Sequence, residues 1–408
     1  MAAPKDVSVR IGLDVGKEDH FADVPGDDGE RLFSRAVAND QADLEALLDQ
    51  AARHGTPGLV IDQPGSIAQL AMAVAASKAT PVAYVPGLVM RRAADLYPGE
   101  AKTGRRDAYV IADTGRTRRR QVHWLDAGSD EQLAELRVLN GHDLDLAADQ
   151  NRLASRLRDM LTATGPALER AVGPRLHQAG IRDLLAAYPT MTALRAAGRD
   201  QIEHAIKTRP PRIAAKASTA VMAALAAQDL TLPAEAATGR VIADLAGELS
   251  RVTARRDALA AQIEDAFLAH PFGEPLASMP GIGPRTGTRI LAEISDGAAF
   301  ADSGKLAAYA GLAPVSRQSG KSLDSESRSR RGNHRLTNAM LLAASASLRD
   351  PASKASYDRK RADGKRHNAA LTCLARRRCD VIPALLRTGQ PYQPQRPGTT
   401  GDNPPLAA

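Results

Sequence analysis

Aromatic side chains are scarce in this chain of 408 residues: Phe, Trp and Tyr together make up 3% of it. A core without rings must be filled by Ala, Leu, Val and Ile, which favours closely packed helices. Cysteine is almost absent. Cys373 and Cys379 are the two in the sequence, too few and wrongly spaced for a disulfide framework or a zinc site. A reducing, cytoplasmic setting is expected. No apolar run reaches membrane-spanning length and the N-terminus has no signal-type apolar stretch, so no membrane partner is expected. What remains is ordinary for a soluble globular protein, with 43% hydrophobic and 25% charged residues, and the length suits two or three domains.

The charge is concentrated. The whole chain carries +7, but Ser316 to Cys379 alone holds 16 Lys/Arg against 5 Asp/Glu, a balance of +11, which leaves −4 for the rest. One basic block of this kind is the footprint of phosphate-backbone binding rather than of a merely solvated face.

Hydrophobic periodicity sets out the elements. Val7, Val9, Ile11, Leu13 and Val15 alternate as in a strand. Phe21 to Val24 and Arg31 to Val37 read as two more strands, joined by an Asp27-Asp28-Gly29 turn. A helix capped at Asn39 or Asp40, a strand from Gly58 to Asp62, a helix from Ser66 and a strand from Pro81 to Val85 follow, then helices near Leu88–Leu96 and Arg105–Arg116. Three strands followed by alternating helices and strands is the order of an RNase H-like α/β domain, placed at residues 7–125. Residues 130–270 read as helical throughout. Leu245, Leu249, Val252, Leu259, Ile263 and Phe267 have heptad-like spacing, which fits either an antiparallel helix pair or a coiled-coil arm for dimerisation. A mainly helical C-terminal module is expected over 271–388, and a disordered Pro/Gly/Thr-rich tail over 389–408.

Asp14 ends the first strand, Asp62 ends the fourth, and Asp107 opens a helix. Each alone has a structural explanation as a turn, cap or dipole residue. Together, at strand ends and on an adjacent helix, they can converge on hard divalent cations such as Mg2+, which neutralise them and clamp a phosphodiester.

Met279 to Gly287 contains Gly281-Ile282-Gly283-Pro284-Arg285 before an apolar helix, a pattern resembling a helix-hairpin-helix. Gly281 and Gly283 would let the backbone approach a phosphate, and Arg285 would add charge. Further on, Arg317, Lys321, Arg328, Arg330 and Arg331 are candidate phosphate contacts. Among the serines of this stretch Ser319 stands out. Arg317 and Lys321 flank it, and nearby cations can stabilise charge developing as a serine attacks phosphorus.

These residues together resemble the IS-one-ten family of insertion-sequence transposases, the DEDD or Piv/MooV type. The matching pieces run from Gly12-Leu13-Asp14-Val15 through Val60-Ile61-Asp62-Gln63-Pro64, Pro98 to Asp107, Met279 to Gly283, Tyr309 to Pro314, Gln318-Ser319-Gly320 and Arg331-Gly332-Asn333. The resemblance implies a RuvC-like N-terminal domain with four metal-binding acids, a coiled-coil region and a C-terminal domain with a nucleophilic serine. It implies an enzyme that cuts and rejoins double-stranded DNA at element ends and target, works as a homo-oligomer (dimer or tetramer), and uses a guide RNA. Asp14, Asp62 and Asp107 match the first, second and fourth acids, and Ser319 matches the serine. The third acid is expected at position 104, which is Gly104; Glu100 lies one helical turn further back. This departure keeps a second expectation open, a catalytically weakened nucleic-acid-binding relative. A Holliday-junction-type nuclease is a third. A tyrosine recombinase using Tyr309, Tyr357 or Tyr392 lacks an evident Arg/His array in the sequence.

Overall fold

Val9, Ile11 and Leu13 sit in a strand buried on both faces, which requires helices on each side of the sheet. The computed structural model describes residues 6–63, 66–97, 103–119, 122–125, 131–206, 211–295, 297, 300, 302–319, 323–328 and 332–394; of 315–319 and 323–328 it describes the backbone alone. The sheet comprises β1 (Val9–Asp14), β2 (Asp19–Pro25), β3 (Arg31–Ala38), β4 (Pro57–Ile61), β5 (Val82–Tyr84) and β6 (His123–Trp124), in the order β3-β2-β1-β4-β5-β6. β1, β2 and β3 pair antiparallel, whereas β4 and β5 run parallel to β1. This is a mixed α/β, RNase H-like sheet. β6 was not foreseen; a two-residue edge strand is too short to leave a periodic signal.

One face of the sheet packs on α1 (Gln41–Ala52) and α2 (Gln69–Ser77), through Leu44, Leu47, Ala71 and Val74. The α1 start is set by Asp40, whose carboxylate accepts the Asp43 N–H at 2.8 Å. Val60 and Ala83 lie in a second cluster with Ile111 of α4 (Gly104–Thr117). A Cβ on Gly12 would lie 2.1 Å from the Ala108 carbonyl oxygen, so only glycine lets α4 cross directly over β1. α3 (Gly87–Ala94) precedes α4.

The middle of the chain is helical, as expected: α5 (Glu131–Thr164), α6 (Pro166–Val172), α7 (Ala179–Ala187), α8 (Met191–Ile206), α9 (Pro211–Ala226) and α10 (Glu235–Ala269). Asp143 of α5 meets Arg256 of α10, Gln150 meets Thr253, and Leu146 packs with Leu259 and Ile263. Further along α5, Leu153, Leu157 and Leu161 cluster instead with Ile242, Leu245 and Leu249 from the first half of α10, so the heptad-like leucines serve an antiparallel pair within one chain.

The remainder holds α11 (Gly273–Ala277), α12 (Pro284–Ile294), α13 (Ser303–Tyr309), a hairpin of β7 (Pro314–Ser319) and β8 (Leu323–Arg328), α14 (His334–Ala346), α15 (Pro351–Ala362) and α16 (His367–Thr388). By its contacts the chain divides into two compact units, one of residues 1–134, 278–280 and 293–408, the other of 135–277 and 281–292. The tail expected to be disordered from residue 389 starts with a docked stretch, since the Tyr392 N–H donates to Ser278 Oγ at 2.7 Å. Residues 395–408 lie outside the described residues. Among the described residues no helix is long and apolar enough to cross a membrane.

Candidate active site and nucleic-acid-binding surface

The parallel register pairs Leu13 with Ile61, so Asp14 and Asp62 follow side by side at the C-terminal ends of neighbouring strands, about 4.8 Å apart. α4 brings the third acid. Its N-cap Thr103 accepts the Arg106 N–H at 3.3 Å, and Asp107 lies in the first turn. Arg106 Nη2 also donates to the Tyr97 carbonyl at 3.0 Å, tying this turn to the preceding segment. Gly104 stands at the heart of the arrangement: a Cβ there would lie 3.0 Å from Asp14 Oδ2 and 3.3 Å from Phe21 Cβ. An acid at 104 would therefore project beside Asp14, where the family pattern places one. Glu100 lies outside the described residues.

Asp14, Asp62 and Asp107 are hard oxygen donors on one sheet edge and the facing helix, and in kind they fit a divalent cation. Among the described residues, no three His, Cys, Asp or Glu side chains are close enough together to hold a metal ion. Sequence reasoning missed Asp113, one face further along α4. It is buried, with Arg116 Nε at 2.9 Å and the Tyr97 phenol on its other oxygen. Burial, then the hydrogen bond to Asp113, raises the Tyr97 pKa far above a phenol's ordinary value. No sequence signal marks this group as anything but one more helix charge.

Ser319 ends β7, opposite Leu323, at the tip of a two-stranded hairpin. The strand pairing of this serine-rich stretch leaves no signal in the sequence, because neither strand shows apolar alternation. The hairpin base is fastened by residues of two quoted motifs, Tyr309 to Pro314 and Arg331 to Asn333, together with Thr337 and Glu293, which the sequence did not single out. The Asn333 N–H donates to the Tyr309 carbonyl at 2.7 Å, and Thr337 Oγ1 donates to the Ala310 carbonyl at 2.6 Å. Asn333 Oδ1 caps α14 by accepting the Leu336 N–H at 3.0 Å. Its Nδ2 donates to Glu293 Oε2 at 2.5 Å and to the Tyr309 hydroxyl at 3.0 Å. Gly332 has φ +127° and approaches so closely that a Cβ would lie 2.6 Å from Gly311 N. The Tyr84 phenol at the end of β5 is raised by burial, and the charges of Tyr309, Asp62 and Glu293 add to this against a lowering hydrogen bond with the Gly87 backbone. Lys321, Arg330 and Arg331 lie outside the described residues, and for Arg317 and Arg328 the backbone alone is described.

The Gly-Ile-Gly turn sits between the five-residue α11 and α12, with Gly281 at φ +87°. A Cβ on Gly283 would meet nothing within 4 Å, so the start of α12 is open to approach. Arg285, expected to face phosphate, turns inward. Its Nε lies 3.5 Å from Asp143 Oδ1, and its Nη2 donates to the Arg256 carbonyl at 2.6 Å. Arg256 and Arg289 complete the group, at 2.9 and 2.8 Å from the same carboxylate, whose side chain is 1% exposed. Burial raises the Asp143 pKa, but the hydrogen bonds from Arg256 and Arg289 outweigh it and hold the carboxyl below its usual range.

The α15–α16 turn is the opposite case. α15 has no buried residue. Its order comes from the Asp350 cap, at 2.8 Å from the Ser353 N–H, and from local Lys354–Asp358 and Lys360–Asp363 pairs. Arg359, Arg361, Lys365 and Arg366 are all exposed. Tyr357 and His367 close the turn through a 2.7 Å Oη–Nδ1 contact. Burial raises the Tyr309 phenol and pushes the Cys379 thiol up to about 12, so neither of these two is poised as a nucleophile.

Two family profiles match the chain. One, described as "Transposase" of the DEDD type of IS110, covers residues 11–166; the other, "Transposase IS116/IS110/IS902 family", covers 273–358. The "Insertion element IS110 uncharacterized 43.6 kDa protein" of Streptomyces coelicolor is 43% identical over 395 residues, 96% of this chain and 97% of that one. The 42 kDa protein of insertion element IS900 of Mycobacterium paratuberculosis is 38% identical, over 95% of this chain and 97% of its own. A "Pilin gene-inverting protein" of Moraxella bovis is 32% identical over 120 residues, 29% of this chain and 37% of that one. With acids at its strand ends and matches running over nearly its whole length, the chain belongs to the IS116/IS110/IS902 family of transposases.

Proposed function

We propose that this transposase cuts and rejoins double-stranded DNA with the Ser319 hydroxyl as nucleophile and with Asp14, Asp62 and Asp107 at the metal-binding edge. The observation that carries this reading is the position of Ser319 at the tip of a hairpin whose base is fastened by Asn333 to Glu293 and Tyr309. The serine oxygen attacks a backbone phosphorus, its proton leaves to a base, and the displaced sugar oxygen is protonated. The product is a phosphoserine link that the reverse attack by another strand resolves. A divalent cation such as Mg2+ at this edge, with Asp14, Asp62 and Asp107 as its ligands once drawn together, would supply Lewis-acid neutralisation of the phosphate charge. The RuvC-like and helix-hairpin-helix assignments belong to this reading. Gly283 supports close backbone approach, and the exposed α15–α16 cations support phosphate contact. The pilin-inverting relatives support site-specific recombination as the reaction class. The family resemblance extends the proposal to a homo-oligomer and a guide RNA.

The test is strand cleavage of duplex DNA carrying the element ends. Wild-type protein should cut and leave protein on the DNA; Ser319→Ala should bind the same DNA and do neither. Cleavage that survives in Ser319→Ala defeats the proposal and leaves the acid edge acting alone, as in a Holliday-junction nuclease.

Gly104 favours a second reading, a catalytically weakened nucleic-acid-binding relative, because the position beside Asp14 carries no carboxylate. Gly104→Asp should then recombine faster than wild type. Equal rates remove this reading.

A further inference from the structure

Two motifs shared with the family, Tyr309 to Pro314 and Arg331-Gly332-Asn333, flank the serine hairpin and have no role in the chemistry proposed above. A two-stranded hairpin is marginally stable by itself, so whatever holds its base sets where its tip lies. Here the base is held at one junction. The chain leaves α13 through Tyr309-Ala310-Gly311, makes the hairpin, and returns through Gly332 and Asn333. The Asn333 N–H and the Thr337 hydroxyl bond back to the Tyr309 and Ala310 carbonyls, closing the loop at 2.7 and 2.6 Å. The Asn333 side chain then spends its donor group on Glu293 and the Tyr309 hydroxyl and its acceptor on the α14 N-terminus. One amide thus joins α12, α13 and α14 at the point where the hairpin emerges.

We propose that Asn333, through Glu293 and Tyr309, is the positioning residue that fixes the aim of the Ser319 hairpin. The inference rests on Ser319 as nucleophile. From Pro314 to Ser319 the strand is about 17 Å long, so a tilt of about 3° at its base moves the tip by about 1 Å. A displacement of that size can cost roughly 100-fold in rate while leaving binding unchanged.

The polarity of the bond permits a test that separates aim from folding. Asn333→Asp keeps the helix cap, since aspartate accepts the Leu336 N–H as well as asparagine does. It removes the donor and sets two carboxylates face to face. Glu293→Gln alone keeps an acceptor for Asn333. Asn333→Asp with Glu293→Gln re-forms the bond with donor and acceptor exchanged. Two readouts are taken on the full chain: the kcat and KM for cleavage of element-end DNA, and amide hydrogen exchange of the β7 and β8 strands, which needs no activity.

Asn333→Asp should lower kcat roughly 10- to 100-fold with KM unchanged, and speed β7–β8 exchange at least about 10-fold while exchange in the β1–β4 core stays as it was. Glu293→Gln should behave as wild type. The double variant should recover both rate and protection. Unchanged β7–β8 exchange in Asn333→Asp overturns the proposal, as does a double variant that recovers nothing. A Glu293→Gln protein that folds but does not cleave would make Glu293 a carboxylate of the chemistry and also overturns it. If the exchange pattern holds while Ser319→Ala still cleaves, the hairpin clamp stands and the serine assignment falls.

Discussion

Two arginine-rich regions of this protein use the same charge in opposite ways. At the start of α12, Arg285 and Arg289 join Arg256 around Asp143, a carboxylate whose side chain is 1% exposed. At the α15–α16 turn, Arg359 and Arg361 at the end of α15, a helix with nothing buried, and Lys365 and Arg366 just beyond it face solvent. The first group is structural: its anion is built in, and its geometry is fixed before any ligand arrives. The second has ordered backbone and unclaimed charge, which suits a polyanion supplied from outside. Counting basic residues finds the second region, and the Gly-Ile-Gly motif points to Arg285 in the first. Burial and partners separate them.

The largest expected effect breaks the first region. Asp143→Asn removes the anion from beneath three guanidinium groups and should cost about 3–5 kcal/mol of stability, read as a lower midpoint in denaturant melts. The pH dependence follows from the depressed Asp143 pKa. Its contribution is complete above the unfolded-state value near the ordinary 3.8 and is lost as pH falls through the lower folded value. The acid limb of the stability curve should therefore be shallower in Asp143→Asn than in wild type below about pH 4.

Next is the exposed turn. Replacing Arg359, Arg361, Lys365 and Arg366 together by Gln should leave the melting midpoint within about 2 °C, because no buried contact is lost. The slope of log K against log salt for duplex DNA should shrink by about 3–4, since each lost phosphate contact removes close to one unit. Arg285→Gln should show the reverse balance, a stability loss of about 1–2 kcal/mol with a slope change below about one. A salt slope that falls more in Arg285→Gln than in the fourfold variant would invert the comparison.

The smallest effect concerns Gly104. With a side chain 3.0 Å from Asp14 Oδ2, Gly104→Asp adds a like charge to the acid edge. Its melting midpoint should be a few degrees lower without divalent cation and should gain more than wild type on adding Mg2+. Identical Mg2+ responses in the two proteins would argue against a cation at this edge.

The sheet was largely legible because its signals are local. Alternation at Val9 to Leu13, the Asp27-Asp28-Gly29 turn and the Asp40 cap each belong to one short segment, and the order of elements along the chain follows from their succession. Asp14 and Asp62 could be singled out for the same reason, as residues at strand ends. The serine hairpin was not legible: β7 and β8 pair through backbone while their sequences, Pro-Val-Ser-Arg-Gln-Ser and Leu-Asp-Ser-Glu-Ser-Arg, carry no apolar face. The inward turn of Arg285 depends on Asp143, 142 positions earlier in the chain, and Glu293 meets Asn333 across 40 positions. Contacts of that range leave no pattern in a single sequence.

The most direct test of the account is the identity of the residue that DNA becomes linked to. Full-length protein is reacted with a nicked duplex that traps the intermediate, digested, and the peptide bearing the nucleotide is sequenced by mass spectrometry. The account predicts one modified peptide with the link at Ser319. A link at Tyr357, which has His367 beside its hydroxyl, would contradict it, as would cleavage with no protein–DNA link at all.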